Sequence, residues 1–147
     1  MSLKPVNSMM ICDRRSFRLR LYKRRLLSYK FSIENSYQIA VGKLGYSTPS
    51  GLYLINSRAK NPDWLMPDSD WVSPELRGKV LPGGDPDNPI KARWLGVTDP
   101  KGGVGIHGTA DDDSIGSEAS HGCLRMHVAD VIELYDQVKL YTPIVIL

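Results

Sequence analysis

Cys123, His107 and His121 lie within seventeen residues of one another, although the 147-residue chain holds only two cysteines and three histidines. The stretch runs Gly105-Ile106-His107-Gly108-Thr109, then twelve residues after His107, then Ser120-His121-Gly122-Cys123-Leu124-Arg125-Met126. A free thiol, with a pKa of about 8.5, is a poor nucleophile, and an adjacent imidazole lowers that value into about the 3.5–7.5 range. The intervening segment is polar and contains Gly116, so it can fold back and bring His107 beside Cys123. Gly122, having no side chain, lets the backbone approach a substrate, with its N–H and that of Cys123 facing an oxyanion. The spacing therefore points to nucleophilic acyl transfer, Cys123 attacking and His107 accepting its proton.

The same residues admit other chemistry. His107, His121 and Cys123 would serve zinc if His127 or the Asp111–Asp113 run supplied a fourth ligand, but a separation of two positions between His121 and Cys123, with only Gly122 between them, is tighter than zinc spacing. Asp111–Asp113 reads as a solvated loop, His127 as a helix-start residue, and Arg125 either as a substrate contact or as half of a structural ion pair. Cys12 lies on an apolar strand, where cysteine is an inert small hydrophobe.

The elements that must position these residues read mostly as strands. Met9–Cys12, Phe17–Lys23, Leu26–Ile33, Tyr37–Val41, Leu52–Asn56, Ala92–Val97, Gly103–His107 and Thr142–Leu147 carry the apolar or alternating patterns of sheet. Turns fall at Gly42–Gly45 and Ser47–Gly51. Between Pro62 and Pro89 the chain is irregular and rich in proline and glycine, with Trp64 and Trp71 in it; so long a loop in a small domain is usually a lid or binding wall. One helix is expected, where Val128, Val131, Ile132, Tyr135 and Val138 recur at three- and four-residue steps and Asp130 complements the dipole.

Length and composition, 41% hydrophobic and 24% charged, fit one soluble globular domain. The expected fold is mainly β: a single-domain β-sandwich or flattened barrel with one short helix after the catalytic loop. Residues 1–8 read as an N-terminal extension and 9–147 as the domain. The net charge of +3 hides an asymmetry, since residues 1–30 hold nine Lys/Arg against one acid. The alternation in Phe17-Arg18-Leu19-Arg20-Leu21-Tyr22 makes this the wet face of a strand before it makes it a nucleic-acid site. No apolar run approaches the roughly 20 residues of a spanning helix, and none resembles a signal-peptide core.

The pattern HGT…SHGCLRM resembles the signature of the L,D-transpeptidase catalytic domain, a histidine followed after a short loop by Ser/Thr-His-Gly-Cys, a hydrophobic residue, then Asn or Arg. The resemblance extends to Leu21-Tyr22, Ala40-Val41-Gly42-Lys43, Thr48-Pro49-Ser50-Gly51, Gly83-Gly84 to Asn88-Pro89 and Ala92-Arg93-Trp94, so it covers about residues 9–147. It implies a secreted acyltransferase of peptidoglycan biosynthesis. Cys123 would attack the L,D bond of a donor tetrapeptide stem, D-alanine would leave, and a side-chain amine of an acceptor stem would resolve the acyl-enzyme as a 3→3 cross-link. Resolution by water would make it an L,D-carboxypeptidase; a hydrolytic peptidase or a non-catalytic wall-binding module are the readings outside that chemistry.

Carried over by the motif, the Gly108 carbonyl orients His107, and His121 supports the site near the oxyanion hole. Ser120, Gly122 and Arg125 contact substrate. The resemblance further implies acylation of the thiol by carbapenems, no metal and no cofactor. The partners expected are peptidoglycan stem peptides, with no nucleic acid and no membrane insertion. The protein is expected to be a monomer in the extracytoplasmic space, with no export signal in this chain.

Overall fold

The computed structural model describes residues 7–147, so all but the last two residues of the expected N-terminal extension lie outside the described residues. Eleven strands and one α-helix follow one another. They are β1 Ser8–Asp13, β2 Arg18–Arg24, β3 Phe31–Gly42, β4 Gly51–Lys60, β5 Trp64–Leu65, β6 Val80–Leu81, β7 Lys91–Val97, β8 Gly105–Thr109, β9 Glu118–Ser120, β10 Leu124–His127, α1 Val128–Gln137 and β11 Pro143–Ile146. The main sheet runs β10-β8-β7-β4-β11-β1-β2-β3-β9, and an additional pairing of β10 with β3 closes it. The result is the flattened-barrel form of the mainly β fold that the alternating pattern predicts.

Alternation explains which side chains fill it. On β1 and β2, Met10, Cys12, Leu19 and Leu21 point inward with no exposed surface, while Arg18 and Arg20 take the wet face. In the same core they join Ile39, Ile55, Leu95, Ile106, Leu124, Met126, Ile144 and Ile146. Helix α1 packs on β7, β8 and β10, laying Val131, Leu134 and Tyr135 against the core. Its N-cap, His127, makes no side-chain cap bond; the ring turns instead to Asp112 at 2.7 Å.

Two expectations are corrected. The segment Leu26–Ile33 is not a strand: residues 25–30 form a turn, and Phe31 to Gly42 is one continuous strand. Leu26 and Leu27 are adjacent, so they cannot both face a core, and Leu27 takes a left-handed φ of 58°. The irregular 62–89 segment contains a short antiparallel pair, β5 against β6. It is held by side chains more than by strand propensity, because buried Asn88 donates to the carbonyls of Pro62, Leu81 and Pro82 at 3.0–3.2 Å. Outside the expected set of strands lies β10, four residues that carry no sequence signal of their own beside the motif. It pairs in parallel with β8 and antiparallel with β3, and it is the strand that closes the barrel.

Candidate active site

The parallel pairing of β8 with β10 sets the site. Leu124 stands opposite Ile106 and Arg125 opposite His107. Residues paired across parallel strands share a face, and successive residues alternate. Ile106, Leu124 and Met126 are therefore driven into the core, each burial stabilising the fold by about 2 kcal/mol. The same geometry sends His107, Arg125 and Cys123, just before β10, to the outer face. All three line a groove of about 790 Å³ whose far wall includes Trp64 and Trp71 from the 62–89 segment.

His107 is buried, with Nδ1 at 2.9 Å from the carbonyl oxygen of Gly108. A carbonyl only accepts, so Nδ1 carries the proton and Nε2 is left as the basic nitrogen. The Trp94 ring stacks beside it at 6.1 Å between centroids. Burial pushes the His107 pKa down to about 4, against the upward pull of the Gly108 bond, and the Arg125 charge adds to the fall. The Cys123 thiol donates to the Gly103 carbonyl at 3.4 Å. Burial raises its pKa, and the N–H of Gly105 and the charge of Arg125 pull the other way without prevailing. Both shifts favour the uncharged forms, imidazole at His107 and thiol at Cys123. For Cys123 this direction is opposite to the lowering that the His/Cys spacing suggests, because sequence says nothing about how deeply the two groups are buried. Gly105 is required by space: a Cβ there would lie 2.4 Å from the Trp94 ring and 2.8 Å from the Leu95 carbonyl.

Residues 120–123 form a tight loop tied from two sides. Ser120 is buried; its Oγ donates to the Cys123 carbonyl at 2.6 Å and accepts from the Gly122 N–H at 3.1 Å. The Gly122 N–H is thus already engaged, which corrects the expectation that it faces an oxyanion. The Cys123 N–H has no acceptor among the described residues. Gly122 has φ 125°, a conformation costly for any residue with a Cβ. From outside, fully buried Thr48 accepts the Gly42 N–H at 2.9 Å and donates to the Gly122 carbonyl at 2.7 Å. The Lys43 N–H reaches the Ser120 carbonyl at 2.9 Å. Sequence reading placed Thr48 only in a turn; its TPSG context was the sole signal that it matters here.

His121 is in the groove wall. Its ring stacks on Trp71 at 4.0 Å and meets the edge of Tyr46 at 4.8 Å, and the Tyr46 hydroxyl donates to Asp70 at 2.8 Å. Trp71 in turn stacks on Trp64 at 6.3 Å, so His121 joins the catalytic loop to the 62–89 segment. Partial burial, then Lys43 and Arg125, lower its pKa. Arg125 approaches Asp111 at 3.9 Å, but that carboxylate is 63% exposed, so the pair is long and screened by water. Among the described residues no group of three or more His, Cys, Asp or Glu side chains is arranged to hold a metal. No helix among them is long and apolar enough to cross a membrane.

Taken together, the site holds a thiol, a tautomerically fixed neutral base, an unengaged backbone N–H and a guanidinium on one wall of a groove. The family model for the L,D-transpeptidase catalytic domain (YkuD) matches residues 9–146. The putative L,D-transpeptidase YqjB of Bacillus subtilis is 36% identical over 118 residues, 78% of this chain and 60% of that one. Among solved structures, a Cys-to-Ser mutant of the Enterococcus faecium L,D-transpeptidase superimposes with a TM-score of 0.72 at 18% identity, covering 96% of this chain and 50% of that one. The L,D-transpeptidase LdtMt1 in complex with imipenem gives 0.71 at 17% identity, with 96% and 59% covered. The chain thus spans three-fifths or less of the length of each of these proteins.

Proposed function

The chain belongs to the L,D-transpeptidase catalytic-domain family, and from that premise we propose that it is a cysteine acyltransferase acting on peptidoglycan stem peptides outside the cytoplasm. The observation that carries the reading is the shared outer face of His107, Cys123 and Arg125 on β8 and β10. Cys123 Sγ attacks the carbonyl between the L-centre of the third stem residue and the terminal D-alanine, and His107 Nε2 takes the thiol proton as the C–S bond forms. The tetrahedral oxyanion accepts a hydrogen bond from the Cys123 N–H. On collapse, His107 returns the proton to the departing D-alanine amine, leaving a thioester. An amine from a second stem attacks the thioester, His107 removes its proton, and the thiol is reformed by protonation. With the second stem as acceptor the product is a 3→3 cross-link.

Incubation with a disaccharide-tetrapeptide and mass analysis of the products tests this. The expected result is a dimer lighter than two monomers by one D-alanine; tripeptide alone would identify L,D-carboxypeptidase activity, and unchanged substrate would overturn the proposal.

Arg125 supplies the contact for an anionic stem. Its planar fork donates two parallel hydrogen bonds to a carboxylate, which lysine cannot do, and its only ion-pair partner among the described residues is the screened Asp111. Arg125→Ala is expected to lower kcat/KM for the tetrapeptide about 10–100-fold with a melting temperature within a few degrees of wild type, and Arg125→Lys to restore only part. Steady-state kinetics beside thermal unfolding checks this, and a large stability loss with uniform loss of every reaction would assign the side chain to structure.

A further inference from the structure

The turn between β2 and β3 presents an apolar tip ringed by cations, and we propose that it is a peripheral docking surface for an anionic lipid bilayer. Leu26, Leu27 and Tyr29 are 92%, 100% and 94% exposed, and Phe31 and Ile33 continue the apolar surface down β3. The turn is built rather than loose. The Arg25 N–H bonds the Lys30 carbonyl at 3.0 Å, the Ser28 N–H bonds the Arg25 carbonyl at 3.1 Å, and the Lys30 N–H reaches Ser28 Oγ at 3.1 Å. Three large apolar side chains held clear of the core contribute nothing to folding and invite aggregation. Flanking them in sequence are Lys23, Arg24, Arg25 and Lys30, with Glu34 the one acid of that stretch, pairing with Lys23 at 3.9 Å; Glu133 of α1 meets β3 farther along, at Asn35. Among the described residues Arg24, Arg25 and Lys30 have no carboxylate partner.

The charge pattern selects the occupant. A second copy of the chain would press cations on cations. A soluble polyanion would satisfy the cations but leave the leucines in water. An anionic bilayer answers both, with lipid phosphates at the Lys/Arg ring and the leucines and tyrosine at the headgroup–acyl boundary. This departs from the sequence-based expectation of no membrane insertion, which rested on the absence of a spanning run; a peripheral contact needs only a tip. The surface is independent of the proposed chemistry. The turn sits at the Phe31 end of β3, and Gly42, which abuts the catalytic loop, is at the other end. Eleven steps of about 3.3 Å put roughly 35 Å between them, so docking would hold the groove away from the bilayer.

Sedimentation with phosphatidylcholine vesicles, and with vesicles also containing phosphatidylglycerol, tests the proposal. Wild type is expected to partition about tenfold or more in favour of the mixed vesicles, decreasingly so with added salt. Leu26→Ser/Leu27→Ser/Tyr29→Ser, which keeps every charge, is expected to lose about tenfold or more of that binding while turning over soluble substrate normally. Tyr29→Trp reports the contact without removing it: its added emission should shift to the blue on mixed vesicles and be quenched by brominated acyl chains. Absence of wild-type binding, serine-variant binding equal to wild type (attraction to polyanions alone), or a tip tryptophan that stays in water would each overturn the proposal.

Discussion

Cys123→Ala is expected to lower turnover of the tetrapeptide about a thousandfold or more while leaving the protein folded. The thiol lines the groove with a single long contact, to the Gly103 carbonyl at 3.4 Å, whereas the neighbouring Ser120 hydroxyl is committed to the Cys123 carbonyl at 2.6 Å. What the substitution removes structurally is one 3.4 Å contact to Gly103 from a half-buried side chain, so the change in melting temperature should be small. Cys12 offers no substitute. It is wholly buried between β2 and β11, and burial pushes its thiol up to about 12. A carbapenem should add the mass of one ring-opened molecule to wild type and to Cys12→Ser, but not to Cys123→Ala. Labelling of the Cys123→Ala protein equal to wild type would end the assignment of Cys123 as nucleophile.

His107→Ala should cost about as much as loss of the thiol, since nucleophile and base act as a unit and their losses do not add. Its pH behaviour separates catalysis from packing. A general base must be unprotonated, and burial holds the His107 pKa down to about 4. The acid limb of the wild-type kcat/KM profile is therefore expected near pH 4, well below the 6.5 of an ordinary histidine. Alkylation of Cys123 should in contrast rise with pH through a value above that of an ordinary thiol, because the thiol is raised. Stability follows the same group. The unfolded chain binds a proton at this ring below about pH 6.5 and the folded chain does not until about pH 4, so stability should fall as pH is lowered from about 6.5 to about 4. His107→Ala should flatten that fall. An acid limb near 6.5, or a stability profile indifferent to the substitution, would mean that the ring is hydrated in solution.

The strands with alternating residues were legible because their period is the period of burial: Leu19, Leu21 and Ile39 are inside, Arg18 and Arg20 outside. Leu26–Ile33 failed for the complementary reason. It has β-type composition, but its apolar residues face water, and sequence cannot tell a core strand from a surface tip when both are rich in leucine and aromatic residues. At the site, the residues that share the groove were legible and the direction of their pKa shifts was not. His107 and Cys123 announce themselves by type and spacing, but the sign of each pKa shift is set by depth below the surface. That depth depends on Trp94, Gly105 and the partner strands. The Gly122 N–H was misassigned because its capture by Ser120 is a property of loop geometry. The short β10 was hidden by its own motif, whose residues were read for chemistry while Leu124 and Met126 were also closing a barrel.

The hydrogen bond from Thr48 to the Gly122 carbonyl has a consequence for the atom on the other side of that peptide. The Gly122–Cys123 peptide, like the others among the described residues, is trans, and a trans amide is rigid, with its C=O and N–H pointing in opposite directions. Fixing the carbonyl toward Thr48 at 2.7 Å therefore fixes the Cys123 N–H away from it. In the proposed reaction, the dipole that would meet the developing negative charge is thus aimed when the chain folds, by a residue seventy-four positions earlier. Solvent around a reacting thioester would have to turn its dipoles during the reaction, whereas this one is already turned. In the barrel, the strand Phe31–Gly42 and the turn after it act as the jig that holds one amide plane at its working angle.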